Sequence, residues 1–136
     1  MRVLGVDFGL KRVGLAVCDP AGILASPRPT LQRTTREALF AHLVDLVAAE
    51  QIEAVVVGLP LALDGSDTET TRQARNFAQS LQRRLTIPVH LEDERLTSAA
   101  AEEELKEAGL CARKRKQALD SQAAVASNLI ALYKAL

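Results

Sequence analysis

Aromatic residues are scarce in this sequence, and its charges cancel. Phe, Trp and Tyr make up 3% of the 136 residues, too few for the stacking platforms that hold single-stranded bases. Seventeen basic and seventeen acidic residues give a formal net charge of zero, so there is no overall basic footprint. Positive charge is only local: the densest cluster is Arg113 to Lys116, followed by the pairs Arg72–Arg75 and Arg83–Arg84. Each of these clusters is also typical of a solvated surface.

Long apolar runs and patterned cysteines are also missing. Asp7 interrupts the apolar start before it reaches the length of a secretion signal, and no run approaches the roughly 18 apolar residues that span a bilayer. Cys18 and Cys111 lack metal-ligand spacing, which favours reduced thiols and a cytoplasmic protein without membrane contact. His42 and His90 are not spaced as a metal pair, and both are predicted to be structural. With 48% hydrophobic and 25% charged residues, residues 1–136 are expected to form a single domain.

The order of the apolar patterns predicts an α/β fold. The predicted strands are residues 3–8, 13–18, 23–26, 54–58 and 88–91, and the predicted helices follow residues 34 and 70 and cover about 98–107 and 120–136. Pro27 and Pro29 are expected to end the third strand, and Thr34 with Glu37 has the spacing of a capping box. The second helix carries the apolar residues Ala74, Phe77, Ala78 and Leu81. Three antiparallel strands followed by alternating helices and strands predict a mixed sheet, parallel in its second half and flanked by helices, in the order of the RNase H-like fold.

Acidic residues occur at three informative places. Asp7 lies inside an apolar strand, on the face of Val3 and Gly5, where a carboxylate is costly unless it is paired, hydrogen-bonded or bound to a cation. Glu94 belongs to an acidic run, Glu92 to Glu94, at the carboxyl end of a strand, where ligands gather in parallel sheets. Asp120 precedes the last helix. Each also has a structural explanation: a strand-end hydrogen bond for Asp7, solvation for the acidic run, and helix capping for Asp120.

Taken together, these carboxylates are consistent with phosphodiester cleavage. That reaction needs an activated water and a stabilised leaving oxygen, and two divalent cations about 4 Å apart can supply both. Hard cations such as Mg²⁺ prefer carboxylate oxygens to histidine or thiolate. A site of Asp7, Glu94 and Asp120 would suit such a cation.

Four ordered blocks resemble the YqgF family of pre-16S rRNA nucleases, also called Holliday-junction resolvase-like proteins. The blocks are Gly5 to Gly9 with Lys11 to Ala16; Val57 to Leu61 with Asp64 and Gly65; Asp93 to Thr97; and Lys114 to Lys116 with Leu119 to Ser121, Ala123, Ala124 and Tyr133. They span nearly the whole chain. Two positions depart from the family pattern: Ala62 stands where Asn is usual, which leaves the role of its loop in doubt, and Cys18 stands where Ser is frequent.

The resemblance implies an RNase H-like fold, an Mg²⁺ or Mn²⁺ site, and hydrolysis of nucleic-acid phosphodiesters during 5′-end maturation of small-subunit rRNA. It gives Asp7, Glu94 and Asp120 both the catalytic and the metal-binding role. Substrate binding is expected of nearby basic side chains: Lys11, Arg12, Arg95, Arg113, Lys114, Arg115 and Lys116. Branched DNA is the alternative substrate, and the protein is expected to be a monomer or a homodimer.

Two other functions compete with this interpretation. An ATPase of the actin or sugar-kinase type also begins with Asp-x-Gly followed by Gly-x-Ala, but such proteins need two domains to enclose a nucleotide. A non-catalytic module that binds rRNA or a processing factor would gain nothing from three carboxylates near phosphates.

Overall fold

Five strands form one mixed sheet in the computed structural model, which describes residues 1–18, 25–94 and 122–135. The strands are β1 (Val3–Phe8), β2 (Arg12–Cys18), β3 (Ala25–Gln32), β4 (Ala54–Leu59) and β5 (Val89–Asp93), and the helices are α1 (Arg36–Ala49), α2 (Glu69–Gln82) and α3 (Gln122–Ala135). Their spatial order is β3-β2-β1-β4-β5. The first three strands pair antiparallel, whereas β1, β4 and β5 run parallel. The predicted mixed sheet is confirmed.

Both faces of the sheet are covered, because its central strands carry apolar side chains on both sides. Leu4, Val6 and Phe8 of β1 lie in a core that includes buried residues of α1 and α2. Val3, on the opposite face, lies in a second core with Ala126 and other buried residues of α3. Every residue of β4 is buried, as expected for a parallel strand between two helical layers. A helix therefore lies on the face of the sheet that carries Asp7.

Gly5 sets how closely α3 packs against that face. A Cβ atom at Gly5 would lie 2.2 Å from the carbonyl oxygen of Ala126 and 2.9 Å from a side-chain carbon of Ile130. The absent side chain therefore lets the backbone of α3 contact β1 directly. This close approach leaves Asp7, two residues further along the strand, at the margin of the helix-covered core.

The third strand differs from the prediction. It runs through both prolines, Pro27 and Pro29, because it lies at the edge of the sheet, where a missing N–H can face away from the neighbouring strand. Its register also shifts: Val13 pairs with Leu31, but Leu15 pairs with Arg28. One extra residue in β3 is accommodated there as a bulge, and Pro29 lies within it.

Two further boundaries were predicted wrongly. The N-cap of α1 is Thr35 and not Thr34, because the Thr35 hydroxyl accepts a hydrogen bond of 3.1 Å from the backbone N–H of Ala38. Strand β5 continues to Asp93, so part of the acidic run lies within the strand and only Glu94 follows it directly. The helix predicted at about 98–107 lies outside the described residues. Within those residues, no helix has the length and apolar character needed to cross a membrane.

Candidate active site

Asp7 occupies the carboxyl-terminal end of β1, on the face covered by α3. It is half-buried and pairs with Gly14 of β2. On the other side of β1, the pairing of Val6 with Val57 brings Asp7 level with Gly58 of β4. The central strand therefore carries a half-buried carboxylate at its carboxyl-terminal end. The side chain lies on the same face as Val3 and Gly5, as the alternation along β1 predicts.

The side chain of Glu94 extends across β4 toward Asp7. Glu94 follows β5 directly, and its side chain lies over Gly58: a Cβ atom on that glycine would be 2.1 Å from the Glu94 Oε1 atom and 2.7 Å from its Cγ. Any residue other than glycine would occupy the space of the carboxyl group. Gly58 thus allows a side chain from β5 to meet one from β1, although a whole strand separates them.

The two carboxyl groups interact strongly. The pKa of Glu94 is raised to about 9, mainly by burial and also by the hydrogen bond and negative charge of Asp7, with a smaller contribution from Asp93. Glu94 is therefore protonated at neutral pH while it is hydrogen-bonded to Asp7 and no cation is bound. Such perturbed acids in a cleft are typical of functional sites.

The donor set fits a hard divalent cation. Two carboxyl groups held together at a partly buried site would bind Mg²⁺ or Mn²⁺ through oxygen, with the cation replacing the shared proton. Within residues 1–18, 25–94 and 122–135, no group of three or more His, Cys, Asp and Glu side chains is arranged to hold a metal. Asp120, the third acid assigned by the sequence, lies outside the described residues.

Only part of the predicted substrate-binding set can be located. Lys11 and Arg12 are exposed beside the turn that follows β1, which is closed by a 2.9 Å hydrogen bond from the Gly9 N–H to the Arg12 carbonyl. They lie at the same end of the sheet as Asp7. The remaining residues of the set, Arg95, Arg113, Lys114, Arg115 and Lys116, lie outside the described residues.

The Arg72–Arg75 pair has a structural role. Arg72 forms a 2.7 Å ion pair with Glu69, and Arg75 forms one of 3.1 Å with Asp67. All four side chains are well exposed, so these pairs neutralise charge on the surface of α2 and leave little to attract a polyanion.

Cys18 departs from the family pattern without losing its polar contacts. Its buried thiol accepts a 2.9 Å hydrogen bond from the Val3 N–H and donates one of 3.2 Å to the Met1 carbonyl. A serine hydroxyl offers the same donor and acceptor, which explains why either residue suits this position. His42 is exposed on α1 and His90 lies in β5, as predicted, and neither joins Asp7 and Glu94.

Two features of this end of the molecule were not found from the sequence. Gly58 belongs to a recognised block, but its role depends on the position of β4 between β1 and β5. Arg33 and Arg36 were not recognised because the cavity they flank is formed by residues that are far apart in the sequence, although two arginines three positions apart around the start of α1 are a signal that could have identified them.

A family model described as RuvX, Holliday junction resolvase, matches residues 1–127. The chain belongs to this family. It is 60% identical over 124 residues to a candidate pre-16S rRNA nuclease of Maridesulfovibrio salexigens, with 91% of this chain and 92% of the relative covered. A protein of the same name from Nitratidesulfovibrio vulgaris (strain Miyazaki F) is 50% identical over 125 residues, with coverage of 92% and 88%. The family predicted from the four blocks is confirmed, and so is its nuclease function.

Solved structures confirm the fold predicted for the family. RuvC from Thermus thermophilus in complex with a Holliday junction substrate superposes with a TM-score of 0.61 at 18% identity, over 99% of this chain and 94% of that one. At this identity the similarity shows the fold alone, which is RNase H-like. Membership of a nuclease family favours nuclease activity over the two competing functions, the ATPase and the non-catalytic module.

Proposed function

We propose that this RuvX-family chain is a divalent-metal-dependent nuclease that matures the 5′ end of small-subunit rRNA in the cytoplasm, with residues 1–136 acting as one domain. The observation that carries the proposal is the meeting of Asp7 and Glu94 over Gly58. A structural role alone would not explain why an acid is buried beside another acid, because that arrangement is costly without a cation. The names of the curated relatives supply the rRNA substrate.

Three acids would hold the cation: Asp7, Glu94 and, by the family resemblance, Asp120. A bound Mg²⁺ or Mn²⁺ supplies an activated water and charge stabilisation for the leaving oxygen. The protein holds the carboxylates at the end of the sheet, on the face that packs against α3. Lys11 and Arg12 hold the phosphate backbone beside them, as do Arg95, Arg113, Lys114, Arg115 and Lys116, without contacting the bond that breaks.

Resolution of branched DNA is the second candidate function. The family description names a Holliday junction resolvase, and the RuvC structure contains a junction. Symmetric cleavage of a junction needs two active sites, so this function would require a homodimer. The rRNA function is compatible with a monomer.

A direct competition between substrates tests the proposal. Purified protein is offered precursor small-subunit rRNA and a four-way DNA junction at the same salt concentration, with Mg²⁺ or Mn²⁺ and with a chelator as control. We expect metal-dependent cleavage of the RNA and little cleavage of the junction. Preferential, symmetric junction cleavage would favour the resolvase, and folded protein that binds both substrates but cuts neither would contradict nuclease activity.

A further inference from the structure

A cavity of about 420 Å³ opens at the end of β1, on the opposite face of the sheet from Asp7. Phe8 of β1 and Phe77 of α2 form its apolar floor, with their rings stacked at a centroid distance of 4.5 Å. Its rim carries Arg33 and Arg36, and Asn76 lies on the α2 side. The volume is in the range of sites for small ligands or for one residue of a polymer.

The rim arginine Arg33 is held in place. Its guanidinium stacks on the Phe8 ring, 4.3 Å from the centroid, and one terminal nitrogen donates to the carbonyls of Gly9 and Leu10 at 2.9 and 2.8 Å. These contacts use one of its three nitrogens. The N–H groups of the other two keep their capacity to donate, in the planar geometry that suits a phosphate.

A second arginine and a third complete the arrangement. Arg36 donates to the Ser80 hydroxyl and lies over the Phe40 ring, and Arg84 packs on the same ring at 4.1 Å while donating to the Ser80 carbonyl. Arg33, Arg36 and Arg84 are exposed residues, and each guanidinium lies over an aromatic ring. Their positions depend on packing that exists in the protein without any ligand.

The arginines of this rim form no ion pair among the described residues. The cavity lining includes no acidic residue, and among the described residues the ion pairs involve other arginines: Arg28, Arg72 and Arg75. In a chain of zero net charge, three arginines gathered on one aromatic cluster form a local positive field. Such a field predicts an anionic ligand.

We propose that this cavity binds one nucleotide of the substrate strand. Arg33 and Arg36 hold its phosphate, Gln73 and Asn76 offer hydrogen bonds to its base or sugar, and the exposed side chain of Leu10 provides apolar contact for the base. Guanidinium planes and amide groups at the mouth of an apolar pocket are the means by which proteins hold splayed-out bases.

The location of the cavity near Asp7 and Glu94 favours a nucleotide within a strand over a free nucleotide as its ligand. Phe8 in the cavity floor follows Asp7 directly in the chain, so the cavity and the carboxylates open at the same edge of the sheet on opposite faces. The exposed Lys11 and Arg12 lie at that same edge. This assignment rests on the proposed nuclease function, since a strand bound by Asp7 and Glu94 must continue past this edge.

Binding without cleavage tests the inference independently of catalysis. A short fluorescent single-stranded RNA is titrated in the presence of a chelator into the wild type and the Arg33→Gln/Arg36→Gln variant, with Arg72→Gln/Arg75→Gln as control for the same loss of charge. We expect about tenfold weaker binding only in the cavity variant. Its slope of log affinity against log salt should be shallower by about 0.7 for the lost phosphate contact.

A second variant removes no arginine and so avoids disturbing their packing. Asn76→Glu places a carboxylate in the cavity, whereas Gln79→Glu places one elsewhere on the exposed surface of α2. We expect Asn76→Glu alone to weaken RNA binding and to raise KM with little change in kcat. Equal affinities in the cavity and control variants would overturn the inference even if the wild type cleaves RNA.

A competition experiment distinguishes a nucleotide within an RNA strand from a free nucleotide as the ligand of the cavity. AMP and inorganic phosphate are added to the RNA complex, and weak displacement of RNA by either would support binding of a polymer. Tight AMP binding that Arg33→Gln/Arg36→Gln abolishes, without any loss of RNA affinity, would make this a free-nucleotide site and overturn the assignment. Loss of RNA binding in the cavity variant together with an inactive wild type would contradict the proposed function and leave the cavity assignment standing.

Discussion

At the scale of single residues, the main feature of the site is that one acid, Glu94, stays protonated at a pH where a carboxyl group is ordinarily ionised. Glu94 is largely buried, and the charged groups that act on it, Asp7 and Asp93, are also acids. Both conditions oppose a second negative charge. A carboxyl group that keeps its proton at neutral pH is ready to exchange it for a cation, and until a cation is bound the protein bears the cost of that arrangement.

This cost predicts a pH dependence of stability in the metal-free protein. The pKa of Glu94 falls from about 9 in the folded state to an ordinary value of 4.5 on unfolding, so unfolding releases a proton between these values. The free energy of unfolding should therefore fall as pH rises through this window. Glu94→Gln, which is neutral at any pH, should lose less stability than the wild type between about pH 5 and about pH 8.

Urea unfolding in the presence of a chelator measures this difference. The exposed Glu53→Gln serves as the matched control, and its pH dependence should follow the wild type. Parallel curves for Glu94→Gln and the wild type would contradict the raised pKa. The Glu94→Gln variant should also cleave much more slowly than the wild type, because an amide is a poorer ligand than a carboxylate.

Sequence reasoning singled out residues whose chemistry is unusual in their own segment. Asp7 stood out because a charge in an apolar strand needs an explanation, and Glu94 because it ends such a strand. Gly58 could not be assigned, because an absent side chain has no chemistry until its neighbours in space are known. The arginine rim was missed for a similar reason: Phe8 lies in β1, Arg33 in the connection between β3 and α1, and Asn76 in α2.

At the scale of elements, three parallel strands make the site. Asp7 belongs to β1 and Glu94 follows β5, and β4 lies between them with Gly58 at the crossing point. The arrangement brings together residues that are far apart in the sequence, since parallel strands end at the same edge of the sheet. The prediction that this edge carries the chemistry followed from element order alone.

Gly58→Ala tests the crossing. The added Cβ would overlap the Glu94 carboxyl group, which must then move away from Asp7. We expect kcat to fall about tenfold or more while KM for RNA changes little, since the rigid site loses its geometry and not its substrate contacts. Combining Gly58→Ala with Glu94→Gln provides the check: if the glycine acts through Glu94, the double variant should be no slower than Glu94→Gln alone. Additive losses would mean that Gly58 acts in another way.

Element boundaries show where local patterns stop being informative. The apolar pattern located α2 by its one buried face and β4 by its continuous apolar run, which is buried on both faces. The end of β3 was predicted wrongly because proline was taken to end a strand. An edge strand tolerates Pro27 and Pro29, and the sequence around them does not show that β3 lies at the edge of the sheet. The capping-box spacing of Thr34 with Glu37 placed the cap of α1 one residue early, because the hydroxyl of Thr35 caps the helix without a glutamate three residues later.

At the scale of the whole molecule, acidic and basic side chains lie on opposite faces of the sheet at the same end. The acids Asp7 and Glu94 lie on the face covered by α3. The cavity-rim arginines, Arg33 and Arg36, lie on the face covered by α1 and α2. A polyanion is repelled by the first until a cation is bound and is attracted by the second. A net charge of zero thus conceals a polarity that would guide a strand across the end of β1.

The most direct test of the account compares single-turnover cleavage of precursor small-subunit rRNA by the wild type and by Asp7→Asn, with Mg²⁺ present. Thermal unfolding and RNA affinity are measured on the same preparations, to show that the variant is folded and binds. The account predicts that cleavage falls by about 100-fold or more, because even outer contacts of a metal site are worth about 10-fold to 100-fold. Cleavage at the wild-type rate by folded Asp7→Asn would contradict the assignment of this carboxylate pair as the catalytic centre.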